Sequence, residues 1–533
     1  ANKISWDNTG TGASQWGIMS FFGRVAYNFD SKYLVTANLR ADGSSKLHPD
    51  HRWGVFPSFS AAWRISSEKF MENLTWIDDL KLRGGWGQTG NSNIGGYAWG
   101  ASISRMPSGL GVGYRPANIA NTAIQWESQE QWNIGLDLGL LQDRINLTID
   151  WYKKTSNDML MPLQLPSYMG TQGNGSSALA APKGNYGSIE NSGVEVTLNT
   201  HPIVGQFEWD SELQVSVNKN KLKSLSGTTS AAIIGYGQWS DVVSLSEVGS
   251  SLYNFYGYVT DGVYKDFADI QNSPKTSAYP FVKDGDGNIV RDAEGNVQLA
   301  DAGKFNRGNT VWVGDVKYKD LNGDGIIDEN DRTNIGSPMP DFTFGWTNTF
   351  RYKNFDLSVF INGSVGNKVM NYMSINLTHM NSAWTNQLAK VNGHAVIVPI
   401  DADKAAAAGA KSWYYDITNS QVANPNAVLP RVTLNDPNDN DRISDRYVED
   451  GSYVRLKNIT FGYTFPKKMI KNWGLENLRL YANIQNLLTI TGYDGYDPEI
   501  GASTADSSGY TYGLDNGRYP SPTVYSFGLN VTF

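Results

Sequence analysis

Six positions in one stretch could supply oxygen ligands to a hard cation: Asp320, Asn322, Asp324, Ile326, Asp328 and Asp331. Counted from Asp320 they fall at positions 1, 3, 5, 7, 9 and 12 of a calcium loop, and Gly325 sits at position 6, where such a loop turns sharply. Ile326 would offer its carbonyl oxygen, the others a side-chain oxygen. Position 12 is an aspartate where the longer glutamate is usual, so bidentate capture is harder and the expected affinity lower. No helix is expected ahead of the loop, which makes it a lone site and not half of a paired sensor. The expected ion is Ca2+, and its role is to stiffen a long external loop, not catalysis. The competing reading is a cluster of Asp, Asn and Gly turns that binds no metal.

Little else in the chain has the spacing of a reactive site. Asp284-Gly-Asp286-Gly287-Asn288 is better explained as a hairpin turn, as is Glu294-Gly295-Asn296. Of the five histidines (His48, His51, His201, His379 and His394) only the first two are neighbours. There is no cysteine, hence no disulfide, thiolate metal site or thiol nucleophile. No His-Glu-x-x-His, phosphate-binding loop or Gly-x-Ser-x-Gly occurs, so catalytic residues are expected to be none and the chain is not read as an enzyme. A net charge of −8 argues against nucleic acid as a partner.

The segments that must carry these loops alternate. In the last nine residues Tyr525, Phe527, Leu529, Val531 and Phe533 share one face of an extended strand, opposite Ser526, Gly528, Asn530 and Thr532. The same alternation runs through Met19, Phe21, Val25, Tyr27 and Phe29 near the start, and through Trp132, Ile134, Leu136 and Leu138 later. Thirteen such strands can be counted. Arg24, Arg40, Lys81, Arg83, Asp137, Asp150 and Glu195 all lie opposite the apolar stripe. A charge on a lipid face costs about 2–4 kcal/mol at the bilayer midplane, so these should face a watery interior. Pro57 suggests a bulge or a local bend in the third strand, a phase shift predicts a bulge near Asn458, and Ser66–Asp79 reads as a short helical connector.

Connections alternate between short and long. Short turns are expected at 30–31, 142–143, 201–205, 353–354 and 466–476. Long excursions are expected at about 89–127, 157–192, 220–339 and 368–448. Long connections at one rim only are the pattern of an outer-membrane barrel, with outer-membrane lipid around it. The fold class is therefore all-β, a transmembrane antiparallel barrel. Thirteen strands is odd where single-chain bacterial barrels are even, so further strands are expected before residue 1. Aromatics of the long loops, among them Tyr253, Phe255, Tyr256, Tyr258, Trp384, Trp413, Tyr414 and Tyr415, either pack loops together or stack on a ligand.

Several motifs together resemble the SusC/RagA family of TonB-dependent outer-membrane transporters. They are Tyr318-Lys-Asp320-Leu-Asn-Gly-Asp-Gly with Asp331-Arg332, Ile335-Gly336 and Pro338; Ser444 to Asn458; Asn483-Ile-Gln-Asn486-Leu487-Leu488; Arg40-Ala-Asp42-Gly43-Ser44-Ser45; and Tyr519-Pro520 to Phe533. The resemblance implies that 1–533 is the C-terminal part of a plugged barrel of 22 strands. It implies a SusD-like lipoprotein as lid, TonB acting through the missing N-terminal region, and import of oligosaccharides or peptides. It does not carry over substrate-contacting residues, because the family's loops vary with cargo. A passive porin or adhesin, or a secreted glycan-binding β-protein, are the alternatives.

Overall fold

The computed structural model describes residues 15–533 except 96–97, 110, 163–178, 226–231, 239–240, 382–383, 411 and 502–510. The middle of the excursion expected at 157–192 falls outside the described residues. Thirteen strands form the wall: β1 Ile18–Phe29, β2 Tyr33–Ser44, β3 Trp53–Arg64, β4 Ile77–Asn91, β5 Glu127–Leu140, β6 Ile145–Pro162, β7 Lys183–Ile203, β8 Phe207–Leu225, β9 Phe342–Tyr352, β10 Phe355–Val365, β11 Tyr453–Thr464, β12 Asn477–Thr491 and β13 Val524–Thr532. Each pairs with its neighbour in the chain, giving one antiparallel meander.

Pairing in register puts every apolar row on one side. Tyr525, Phe527 and Leu529 are exposed, as are Phe21, Val25 and Tyr27. Rings on this side meet across strands: Phe21 stacks on Trp53 with centroids 5.9 Å apart, Tyr33 on Trp63 at 6.4 Å and Phe355 on Phe461 at 5.8 Å. A water-soluble sheet would bury this side. Here the buried apolar clusters lie in the connections instead. One joins Val263, Tyr264, Trp312, Val313, Ile417 and Val422, and a second joins Phe255, Met370, Tyr372, Ile443, Tyr447 and Leu514. The wall thus turns its apolar side outward, while the outward connections build cores of their own.

The tight turns have the backbone that two-residue hairpins require. Asp30 and Ser31 have φ of 53° and 54°, Gln142 and Asp143 have 59° and 58°, and Lys353 has 53°. At this rim the other connections are 65–76, 204–206 and 465–476. The opposite rim carries 45–52, 92–126, 163–182, 226–341, 366–452 and 492–523.

The structure differs from the sequence expectation at the 157–192 excursion, where β6 runs on to Pro162 and β7 begins at Lys183, and at two local features. The 65–76 connector is two 3-10 turns, Ile65–Ser67 and Lys69–Met71, rather than a helix. Pro57 makes no bulge: β3 pairs with β2 without a register shift, Leu39 opposite Pro57. Pairing with β4 starts only at Ser58, so beside Pro57 there is no second ladder asking for the missing N–H. The bulge near Asn458 is present. Phe360 opposes Asn458 while Ile361 opposes Leu456, which leaves Lys457 as the extra residue.

Candidate functional site

The inner side of the wall is laced with ion pairs that the register sets. Arg83 on β4, Gly135 on β5 and Asp150 on β6 share one row. Across the glycine, Arg83 Nη1 and Nη2 donate to the two Asp150 oxygens, each at 2.6 Å. A Cβ on Gly135 would come within 2.5 Å of the Arg83 Cζ and 2.7 Å of Asp150 Oδ1, so the bidentate pair needs a residue without a side chain there. A diagonal version occurs on β10–β12: Gly462 is opposite Asp356, and Arg479, opposite Thr464 two positions further on, crosses over the glycine so that its Nη2 reaches Asp356 Oδ2 at 2.5 Å. Lys81 adds to Asp137 at 3.3 Å, and Lys153 and Lys223 share Glu190. This puts Lys81, Arg83, Asp137 and Asp150, assigned to the interior from alternation, in one network.

The two largest connections, 226–341 and 366–452, close over each other around a buried seam. Asp315 and Arg431 are almost wholly buried, with Arg431 Nε 2.6 Å from Asp315 Oδ1. Asn440 Nδ2 donates to the same oxygen at 3.1 Å, and Val316 N donates to Asn440 Oδ1 at 2.7 Å. Asn438 receives the Thr276 hydroxyl at 2.8 Å and donates to the Val316 carbonyl at 3.0 Å. Burial pushes the Asp315 carboxyl upward, against the pull of Arg431. The connection 492–523 joins through backbone bonds between Met370 and Gly513 and between Met370 and Asp515.

His379 supports this seam from the 366–452 side. Its Nε2 lies 3.1 Å from Asp436 Oδ2 and its Nδ1 2.9 Å from Asp441 Oδ2. Burial lowers its pKa, but the two hydrogen bonds and the two carboxylate charges outweigh it and raise it to about 9. Both ring nitrogens then donate, so the ring is an imidazolium at neutral pH. Among the described residues these three are also the set of His, Asp or Glu ligand atoms that lie within 4.8 Å of one another. Fifty-seven residues separate His379 from Asp436, a distance over which spacing carries no signal.

The 320–331 loop has a different geometry. Gly323 and Gly325 take left-handed φ of 78° and 83°. Asp320 accepts from Gly323 N at 2.6 Å and from Gly325 N at 2.8 Å; Asn322 accepts from Asp324 N at 2.9 Å, and Asp324 from Ile326 N at 2.8 Å. Asp331 is fully buried, and its oxygens take Leu321 N and Asp328 N, each at 2.8 Å. Asp328 in turn accepts from Asn330 N at 2.7 Å. All donors offered are hard oxygens, as calcium asks, and no three of the four carboxylates lie within 4.8 Å of one another. The loop is tied to the rest of its connection by Lys275, whose N–H meets the Gly325 carbonyl at 3.0 Å and whose carbonyl accepts from Ile327 N at 2.9 Å.

The loop aromatics divide. Phe255 is core, Tyr258 lies beneath Arg332 and Arg442, and Tyr253 meets Tyr512 at 6.1 Å. Tyr256 also lies under Arg332, and Trp413, Tyr414 and Tyr415 meet ring to ring, with Arg307 over Tyr414. Trp384 is 97% exposed.

Known proteins match this architecture over the whole chain. Residues 1–362 match the family described as TonB dependent receptor-like, beta-barrel. TonB-dependent receptor P3 of Formosa agariphila is 32% identical over 557 residues, covering 100% of this chain and 48% of that protein. TonB-dependent receptor SusC of Bacteroides thetaiotaomicron is 28% identical, covering 97% of this chain and 44% of its own length. Among solved structures, the RagAB peptide transporter superposes with a TM-score of 0.71 at 20% identity, covering 97% of this chain and 47% of that one. The chain spans about half the length of the relatives it matches. Its outward apolar wall, charged interior and one-sided long connections are those of an outer-membrane barrel, and the chain belongs to the TonB-dependent receptor β-barrel family.

Proposed function

We propose that this chain is the C-terminal wall of a TonB-dependent importer that brings oligosaccharides or peptides across the outer membrane, working with a SusD-like surface lipoprotein. The observation that carries the reading is the closure of 226–341, 366–452 and 492–523 over one rim, above a wall whose inner side is polar and charged. A passage for hydrophilic cargo needs both a wet interior and an outer platform on which a lid can dock. Energy delivered through TonB would arrive as a pull on a segment before the plug, a part of the protein other than this wall. No bond chemistry is involved: the protein's work is capture and release.

The 320–331 loop is proposed to take a structural Ca2+ through Asp320, Asn322, Asp324, the Ile326 carbonyl and Asp328. Asp331 completes the proposed set: like Asp320 it accepts two backbone N–H groups, which hold the loop's shape, and a carboxylate has further lone pairs to offer the ion. The ion's contribution would be to fix the outer platform. The import reading is tested in cells that carry the intact protein: uptake of its cargo should stop when TonB is deleted, and a surface lipoprotein should co-purify with it in detergent. Uptake that persists without TonB would overturn the reading in favour of a passive pore.

A further inference from the structure

We propose that the inner wall carries, at the rim of the long connections, a subsite for a carboxylate-bearing sugar unit, read by Lys457 and Arg518. The inference rests on the import reading above and names the cargo class. A cavity of about 540 Å3 lies where β9, β10 and β11 meet the 492–523 connection. Its wall side is Thr343, Ser364, Tyr453 and Lys457, and its loop side includes Glu499, Tyr512 and Arg518.

Alternation along β11 brings a cation there, and the bulge beside it resets the phase of the strand. Before it, Tyr453 and Arg455 point inward; after it, Asn458 and Thr460 do. Lys457 continues the inward phase of Tyr453 and Arg455, and as the extra residue of the bulge it lets the next residue, Asn458, face inward as well, so two polar side chains follow each other on the lumen side. Its ammonium lies 3.0 Å from Glu499 Oε2, and Glu499 is also held by Arg455 Nη1 at 2.6 Å. Arg455 keeps a second carboxylate, Asp497, at 2.5 Å. Glu499 would therefore keep a cationic partner if Lys457 turned to a ligand, although Arg455 shares its one charge with Asp497. Arg518 is exposed, and its Nη1 donates only weakly, to the Glu499 carbonyl at 3.3 Å. Two cations with spare N–H groups thus face one cavity, with a carboxylate that a third cation already holds.

The remaining lining selects the ligand's body. Pro338, Pro340 and Pro498 contribute ring faces and no backbone donor. The wall strands here are hydrogen-bonded on both sides, leaving no edge to which a peptide could add as a strand. A peptide would find few partners for its main chain. A sugar would meet the hydroxyls of Thr343 and Ser364 and the faces of Tyr453 and Tyr512, with its carboxylate toward Lys457 and Arg518.

The test is calorimetry on the intact detergent-purified protein with trigalacturonate, maltotriose and trialanine as probes, for the parent, Lys457→Met and Arg518→Gln. The expected result is that trigalacturonate binds more tightly than maltotriose, and that each substitution weakens it by about ten- to a hundredfold, the range for a charge-assisted hydrogen bond. The maltotriose affinity should not move, which also reports that the variants are folded. Equal affinity for the two sugars, or trigalacturonate binding indifferent to both substitutions, overturns the subsite. Trialanine binding that needs Lys457, without trigalacturonate binding, overturns the sugar assignment. TonB-dependent uptake of neutral cargo with both variants indifferent would sink the subsite and leave the importer standing. Lys457-dependent trigalacturonate binding without TonB-dependent uptake would do the reverse.

Discussion

Raising the pH should loosen the seam between the two largest outer connections through His379. The side chain is mostly buried, between Asp436, 6% exposed, and Asp441, 34% exposed. Its pKa stands at about 9 in the folded protein against an ordinary 6.5. A raised folded-state value means the stabilisation is complete below about pH 6.5 and is lost as pH climbs through about 9. At about 1.4 kcal/mol per pH unit the linkage amounts to about 3 kcal/mol, an upper figure because local water screens part of it. The groups around it bear on the same titration: burial raises Asp439, the His379 charge lowers Asp441 against its own burial, and Arg446 adds positive charge beside Asp441. Above the transition Asp436 and Asp441 lose their shared cation, and the 435–442 segment that presents Asn438 and Asn440 to the seam loses its anchor. Hydrogen exchange of 435–442 in the intact protein, corrected for the intrinsic pH dependence, should show protection falling by up to about a hundredfold between about pH 7 and about pH 10. His379→Gln should show the low protection at both. Equal protection of the parent at the two pH values, or parent-like protection in the variant near pH 7, would refute the argument.

Other outcomes follow from the same geometry. Arg431→Met leaves Asp315 buried without its cation and should cost about 3–5 kcal/mol, read as a lower unfolding temperature of the outer connections, whereas replacing both residues by apolar ones should cost far less. Ile134→Arg places a charge on the outer face in the middle of β5 and should reduce stability in lipid by about 2–4 kcal/mol, measured by urea titration of protein folded into vesicles. If the acidic loop takes calcium, the ion should protect 226–341 from protease in the parent and not in Asp320→Ala, and chelator should abolish the difference.

Alternation alone located the wall. The stripes through Phe21–Phe29, Trp132–Leu138 and Tyr525–Phe533 specify which side of each strand meets lipid, because a one-residue slip would exchange the two faces. That was enough to assign Lys81, Arg83, Asp137 and Asp150 to the interior, and the phase break to place the bulge near Asn458. Pro57 was misjudged because a missing N–H matters only where a second strand pairs, and pairing partners are not written in a local stretch. The pairing of His379 with Asp436 and Asp441, of Asp315 with Arg431, and of Lys457 with Glu499 was out of reach for the same reason. Those contacts join segments far apart in the chain, and only the folding of the long connections onto one rim brings their charges within hydrogen-bonding distance. Local periodicity sets the solvent on each side of a strand; which charges meet depends on how the connections close over the mouth.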